Sequence, residues 1–585
     1  MIVDFLEQFN QSNKGDTKGT IWATKNIDPN INNGKINISK ILGFSTDTDD
    51  QANLEAAASG FAFTSAFTTD RYFAVADDRV WQSSFSDPNS AWSAVTSTPT
   101  DIDINSDIIA FNSKIYIATQ NFVKSYTQAA GFNNVNAVSS NPHSFCIYAN
   151  RLYVTDNNDN IESMDTSETY STSGSYTLDL NTTTGESQLI TKISAVSDGI
   201  WIATVFTDKA GGEMIFWDGA TANVVSSRYK LTRGALAMTI KDDRPYIIDS
   251  FGRLRVFDGT TFTEIARLPI KDETIDNFND DSNDRWVHPN GMILVNDEIY
   301  ILIRNTMSDT SQNIIENMSS GVWAYSIDYG FYCKYPFSNV DVGVTPETPK
   351  GGGIDELAQV GAIISSNATG GSTVDRADES EILVGVKYYT DATATKAAFG
   401  ITNVINDIKK IGCFVTAQLN PELFDEAWKE VVAFHDLLKN STDRIIIKYR
   451  TSESTPIYGT GTWSNDLRIT STSDLSNAEQ GNELEILRGD GAGVCYHITN
   501  GVELHGSNYR LDLDYNPFAS MTGTCKFRIQ NWKKVSTQDT TDSTFIRGTL
   551  DTGSWIQLKL FMVGTGKSPQ LTKLLVSSTP SQDLM

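Results

Sequence analysis

Cysteine and histidine are scarce in this chain of 585 residues, with five of each. The cysteines (Cys146, Cys333, Cys413, Cys495, Cys525) are odd in number and far apart, with no CxxC and no ligand spacing to a histidine. That excludes a disulfide framework and a structural zinc site, and reads as free thiols buried in a chain folded under reducing conditions. No apolar run approaches the ~18–20 residues that a membrane helix needs. The opening MIVDFLEQFNQSNKGD carries acidic residues where a signal peptide has a basic flank, so secretion by that route is not expected. Basic residues are in deficit, 46 against 72 acidic, for a net charge of −26. Such a balance opposes groove-type binding to nucleic-acid phosphates. It favours solubility and by itself names no partner.

One phrase recurs: an apolar run, a tight turn, then a second apolar run led by an aromatic. It reads FAFTSAFTTDRYFAVA, DIIAFNSKIYIAT, SFCIYANRLYVT, ISAVSDGIWIAT, LAMTIKDDRPYIID and GMILVNDEIYILI. The leading aromatics Tyr72, Tyr116, Tyr153, Trp201, Tyr246 and Tyr300 stand 37 to 54 residues apart. The turns fall at Thr69-Asp70, Asn112-Ser113, Ala149-Asn150, Asp198-Gly199, Asp242-Asp243 and Asn296-Asp297. These residue types suit tight hairpins. Asp-Gly pairs at 218–219 and 258–259 lead several repeats into a further strand. An all-strand repeat of this length predicts an all-β fold, a β-propeller over residues 56–400. The sixth repeat carries an insertion at about 305–321. A fainter seventh, VGAIISSN with SEILVGVKYYT, makes seven blades the expected count.

Residues 1–55 hold two short strand-like pieces, GTIWAT and KINISKILGF. One of them is expected to close the ring by joining the last blade. From 401 to 585 the blade phrase stops, and strands of uneven spacing predict one β-sandwich or barrel-like domain. Within PELFDEAWKEVVAFHDLL, Phe424, Ala427, Trp428, Val431, His435 and Leu438 recur at helical spacing, although Val432 and Phe434 also alternate as in a strand. Periodicity predicts a helix at 421–438.

Motifs that could carry chemistry are incomplete. GTGKS (Gly564–Ser568) imitates the end of a P-loop but has Phe561 in place of the first glycine and Pro569 directly after, so it reads as a hairpin loop. GDGAG (Gly489–Gly493) lies between strand-like runs, without the strand–turn–helix setting of a dinucleotide fingerprint. DNNDN (Asp156–Asn160) and DNFNDDSND (Asp276–Asp284) cluster oxygen ligands as calcium loops do, without the glycine and terminal acid of an EF-hand, and read as solvated turns. Against the glycosidase blade signature Ser-x-Asp-x-Gly-x-Thr-Trp, only Asp87 and Trp92 match; Phe85, Asn89 and Ala91 depart. Glycoside hydrolysis needs two carboxylates at a set separation, which chance supplies among 72 acidic residues. His143, His288, His435, His497 and His505 form no HxH or HExxH spacing; His497 lies on an alternating strand as a structural residue would. Trp286, Trp323, Tyr325 and Phe331 could stack on sugars but at this repeat density read as blade core. No catalytic, metal or cofactor residue is assigned.

Three stretches resemble tail and virion proteins of tailed bacteriophages. They are the strand–FDGTTF–strand phrase (Val256–Phe262), the segment FVTAQLNPELFDEAWKEVVAFHDLL…DRIIIKYRTS (Phe414–Ser452) followed by GDGAGVCYHIT, and the terminal WIQLKLFMVGTGKSPQLTKLLVSS (Trp555–Ser578) read as a hairpin. The resemblance implies a sandwich strand, not a helix, around Lys429–Leu438. It implies a non-enzymatic structural subunit of a tail nozzle, hub or baseplate, made in the host cytoplasm and resident in the virion. Its expected partners are other virion proteins and further copies of itself in a symmetric homo-oligomer, with genome DNA passing without specific binding and no membrane segment. The alternative expectation is a propeller that binds or cleaves host glycans.

Overall fold

The computed structural model describes residues 2–3, 21–25, 27–32, 35–39, 56–67, 71–76, 79–84, 286–304, 320–337, 357–365, 382–389 and 395–401. It also describes 92–268 and 411–580, with short interruptions. The chain is almost wholly β; the described residues hold one helix, Leu180–Thr184, capped by Asp179 accepting from the Thr182 amide and by Gly185 at φ 70°.

Between Gly60 and Ile401 the strands make seven consecutive antiparallel sheets. Five have four strands in sequence order, the third gains a fifth strand at Leu178–Asp179, and the seventh has three. The first two strands of each are the two halves of the recurring phrase, as in Ile108–Phe111 paired with Lys114–Ala118. Turn chemistry acts as expected at Asn112-Ser113, Ala149-Asn150, Asp242-Asp243 and Asn296-Asp297, where all eight residues take φ between 45° and 68°. The fourth repeat instead turns on Ser197 and Asp198, because Gly199 already pairs with Val196. The turn assigned to Thr69-Asp70 lies outside the described residues.

The leading aromatics sit between sheets. The Tyr116 hydroxyl in the second sheet donates to Glu168 Oε1 in the third at 2.8 Å, and Tyr153 donates to Gly219 O in the fourth at 2.6 Å. Trp201 in the fourth meets Phe257 and Phe262 in the fifth, with centroids 4.9 and 5.6 Å apart. In the second, third and fourth sheets this repeated position supplies the contact to the next sheet, whereas Tyr72 of the first packs with Ala362 and Leu383 of the seventh.

First strands of successive sheets lie side by side, and Leu357–Ser365 of the seventh lies against Gly60–Thr64 of the first. The Ala362 amide donates to Ala58 O at 2.8 Å, and the Ala57 amide to Gln359 Oε1 at 3.0 Å. Glycine is required opposite: a Cβ at Gly361 would lie 1.9 Å from Ala58 O, and one at Gly385 would lie 2.6 Å from Ala58 Cβ. The segment ahead of Gly60, not a strand from residues 1–55, makes this junction. The predicted ring-closing role is corrected. Ile21–Lys25 pairs with Ile411–Thr416, while Lys35–Ile38 pairs with Ile27–Asn32 and Leu571–Pro580. Burial draws them there, since Ile27, Ile36 and Ile38 are fully buried in the C-terminal core.

That C-terminal region is three stacked sheets, not one two-layer sandwich. A central sheet runs Ile21–Lys25, Ile411–Thr416, Gln557–Val563, Arg444–Arg450, Lys533–Gln538. Its alternate residues face opposite cores. Phe414, Ile445, Ile447, Leu558, Leu560 and Met562 pack towards a six-stranded sheet, whereas Cys413, Ile446, Phe561 and Val563 pack towards a seven-stranded one. Burial on both faces explains the unbroken runs RIIIKYR and QLKLFMV. Gln557–Val563 and Leu571–Pro580 belong to different sheets. The expected terminal hairpin around GTGKS is therefore an inter-sheet crossing, with residues 565–568 outside the described set. The first core also takes in Tyr300, Val322, Tyr332 and Tyr335 of the sixth sheet and Val384 of the seventh.

The predicted helix is also corrected: Glu426–His435 is a strand between Leu571–Pro580 and Phe545–Thr549. A bulge between Trp428 and Glu430 puts Trp428 and Val431 on the same buried face, after which Ala433 and His435 follow at period two. One inserted residue turned strand alternation into an apparent helical spacing. Residues 421–425 lie outside the described set.

Candidate functional site

The first strands of the seven sheets bring polar residues together at the ring axis, at the end where those strands begin. Asp107, just ahead of Ile108–Phe111, accepts from its neighbour amide Ile108 at 2.9 Å and from the Phe145 amide of the third sheet at 3.0 Å. Asn290, ahead of the sixth sheet, donates from Nδ2 to Asp107 Oδ1 and to Ser59 O, both at 2.9 Å. Lys192 of the fourth sheet donates to Asn290 Oδ1 and stands 3.7 Å from Asp107 Oδ2. The Asn290 carbonyl accepts from Ile363 of the seventh sheet at 2.9 Å, and Ser59 Oγ donates to Ser106 O at 2.6 Å. Side chains and main chain from six of the seven sheets thus satisfy one another across the axis. Sequence reading missed Asp107, Lys192 and Asn290. The available signal was positional, a polar residue just before or early in an apolar first strand.

Towards the other end of these strands, a cleft of about 420 Å³ opens between the first two sheets. Phe61–Ala66, Ile108–Ser113 and Ile364 line it. Its lining mixes apolar side chains with the neutral polar Thr64, Ser65, Asn112 and Ser113, so it offers surface for contact and no charged pair for acid–base work.

A buried charged cluster lies between the central and seven-stranded sheets. Lys448 and Lys559 donate to opposite oxygens of Glu483 at 2.7 and 2.5 Å, all three fully buried. Burial works to raise the Glu483 pKa, but the two ammonium groups outweigh it and hold it down at about 2. Both lysines also sit over the Phe561 ring. His497, the cross-strand partner of Glu483, has Nδ1 2.9 Å from Asp514 Oδ2. Burial and nearby Lys448 lower its pKa to about 4, against the opposing pull of Asp514. The cluster is sealed inside the core, so its chemistry is structural.

The remaining singled-out residues do not converge. His143 bridges Asn141 O and Ile190 O, His288 accepts the Asn290 amide, and His435 contacts Asp436 O. His497 and His505, close in sequence, occupy strands at opposite edges of the seven-stranded sheet. Trp286, Trp323 and Phe331 are buried and pack with Tyr325 in one core cluster, as the blade-core reading expects. Trp92 is buried against Phe61; Asp87, residues 157–159 and 276–284 lie outside the described set. Gly489 ends a strand paired with Cys495–His497, as expected of a hairpin, with residues 490–494 undescribed. Cys146, Cys333, Cys413 and Cys525 are buried, and burial pushes the Cys146 thiol up to about 12. Among the described residues no three His, Cys, Asp or Glu side chains are grouped to hold a metal, and no helix is long and apolar enough to cross a membrane.

No protein-family model and no curated protein sequence matches the chain. Among solved structures it is similar to the computationally designed protein Ika8, with 9% identity, a TM-score of 0.32 and coverage of 59% of this chain and 98% of that one. It is similar to the extracellular domain of a putative one component system from B. thetaiotaomicron, with 11% identity and a TM-score of 0.34; 92% of this chain spans 61% of that one. A chain of the S. cerevisiae Dbp5–Nup159–Gle1 assembly shows 10% identity and a TM-score of 0.32, with 62% and 94% covered. These likenesses are too low to bear on fold or activity, and the architecture rests on the strand pairing itself.

Proposed function

We propose that the chain is a structural component of a tailed-phage virion, a nozzle, hub or baseplate protein that acts by docking to other proteins. In this reading the seven sheets are the blades of a seven-bladed propeller over residues 56–400. The supporting observation is mechanical continuity: one apolar core runs from the sixth and seventh sheets into the stacked C-terminal sheets. Ser39 Oγ donating to Cys333 O at 2.8 Å fastens the N-terminal strands to the sixth sheet. Lys334, 2.9 Å from Glu298, is buried yet keeps its charge, because Asp28 and Glu298 raise its pKa against the effect of burial. Ring and stack then behave as one rigid block, suited to a symmetric assembly. The −26 charge fits a particle through which DNA slides without sticking; a strongly basic lumen in the assembled particle would remove that part.

The second reading is a glycan-binding or glycan-cleaving propeller; the cleft between the first two sheets supports its binding form, having no carboxylate pair of its own. Glycan arrays with turnover assays on host polysaccharide separate the two. The structural reading expects no turnover; hydrolysis abolished by Asp107→Asn would overturn it.

A further inference from the structure

Among the described residues the six-stranded sheet ends at Phe545–Thr549, which hydrogen-bonds on one side only, with Glu426–His435, although Lys533–Gln538 of the central sheet approaches it. Outward side chains form two rows across three strands: Phe545, Phe434 and Lys573, then Arg547, Val432 and Leu575. Phe545 is 51% exposed and Leu437, two residues beyond the strand, 48%. The Phe434 and Phe545 rings lie 6.5 Å apart. Among the described residues, four cations lie on or beside this face: Lys429, Lys573, Arg547 and Lys35. Two carboxylates accompany them, Glu430 accepting from Arg547 Nε at 2.5 Å and Asp436 from Lys35 Nζ at 2.7 Å. A cationic rim on an apolar face is anomalous in a chain of charge −26.

We propose that this face and its open strand edge are the contact surface for a second copy of the chain, an inference that rests on the assembly reading above. Exposed edge strands are normally guarded by charge, proline or a covering segment. Here Phe545 stands exposed at the edge, which marks an interaction surface. Charge selects the occupant: the cationic rim complements the acidic surface that every other copy presents. Self-pairing of the edge about Arg547 would set like charges opposite each other. The contact is therefore heterologous, this face of one copy against an acidic surface of the next, the arrangement that closes rings.

The test is light-scattering mass and sedimentation of the full chain across concentration and salt. Wild type is expected to self-associate, less so at high salt. Phe545→Ser and Lys573→Glu are each expected to weaken association at least about tenfold. Lys573 is exposed, so Lys573→Glu keeps the test valid if Phe545→Ser disturbs the edge. Association unchanged in both variants would overturn this surface and leave the assembly reading standing. A wild type monomeric at every concentration and in purified particles would overturn both. Cross-linking of residues 581–585 of the same chain onto Phe545 would overturn the second copy as occupant.

Discussion

His497 illustrates how a single buried group sets a pH limit. Its folded pKa of about 4 lies below the usual 6.5, so the folded protein binds fewer protons between those values than the unfolded chain does. Its contribution is complete above pH 6.5 and is lost as pH falls towards 4, a cost of about 3 kcal/mol. Urea titrations at pH 7 and 4.5 should show this loss, and His497→Gln should flatten it. Glu162 has the opposite sign: burial, with Asp156 nearby, raises its pKa to about 7. Its stabilising contribution holds below pH 4.5 and disappears as pH rises through 7. Glu162→Gln should therefore raise Tm at pH 8 and change little at pH 5, as scanning calorimetry would report. At the axis, Asn290→Ala removes partners of Asp107, Lys192 and Ser59 together. A loss of about 2–4 kcal/mol is expected in chemical denaturation.

Individual strands show why parts of the fold were legible. Repeat halves, hairpin residues and the aromatic leader were readable because each acts locally, as at Asn112-Ser113 and Tyr116. The strand at Glu426–His435 was not readable from periodicity, because its bulge falsified the period; the resemblance alone pointed to a strand there. Nor was the partner of Lys35–Ile38, since a lone alternating strand carries no mark of the sheet that will bury it. The axial cluster was equally hidden: Asp107, Lys192 and Asn290 are far apart in sequence and meet only when the ring closes. At the first–seventh junction, Gly385→Val forces a side chain against Ala58 and should cost about 1–3 kcal/mol or more. Hydrogen exchange should then accelerate at Ala57–Thr64 and Leu357–Ser365 before the rest of the ring. Uniform acceleration would argue against a local junction.

Across the whole molecule, the composition and the phrase repeat foretold an all-β chain of many small antiparallel sheets. The three-layer stack was masked by its strands, because a sheet buried on both faces loses the alternation that distinguishes one core from two. The functional reading rests on the resemblance, since the buried Lys448–Glu483–Lys559 cluster and its neighbour His497 serve packing. The central claim is that the chain is a structural virion subunit, and the direct measurement is quantitative mass spectrometry of purified tailed particles from the host culture. The account predicts the chain in intact particles at a fixed, symmetric copy number, six or twelve for a tail ring or three for a tip. Absence from particles that infect normally, with the chain abundant in the lysate, would contradict it.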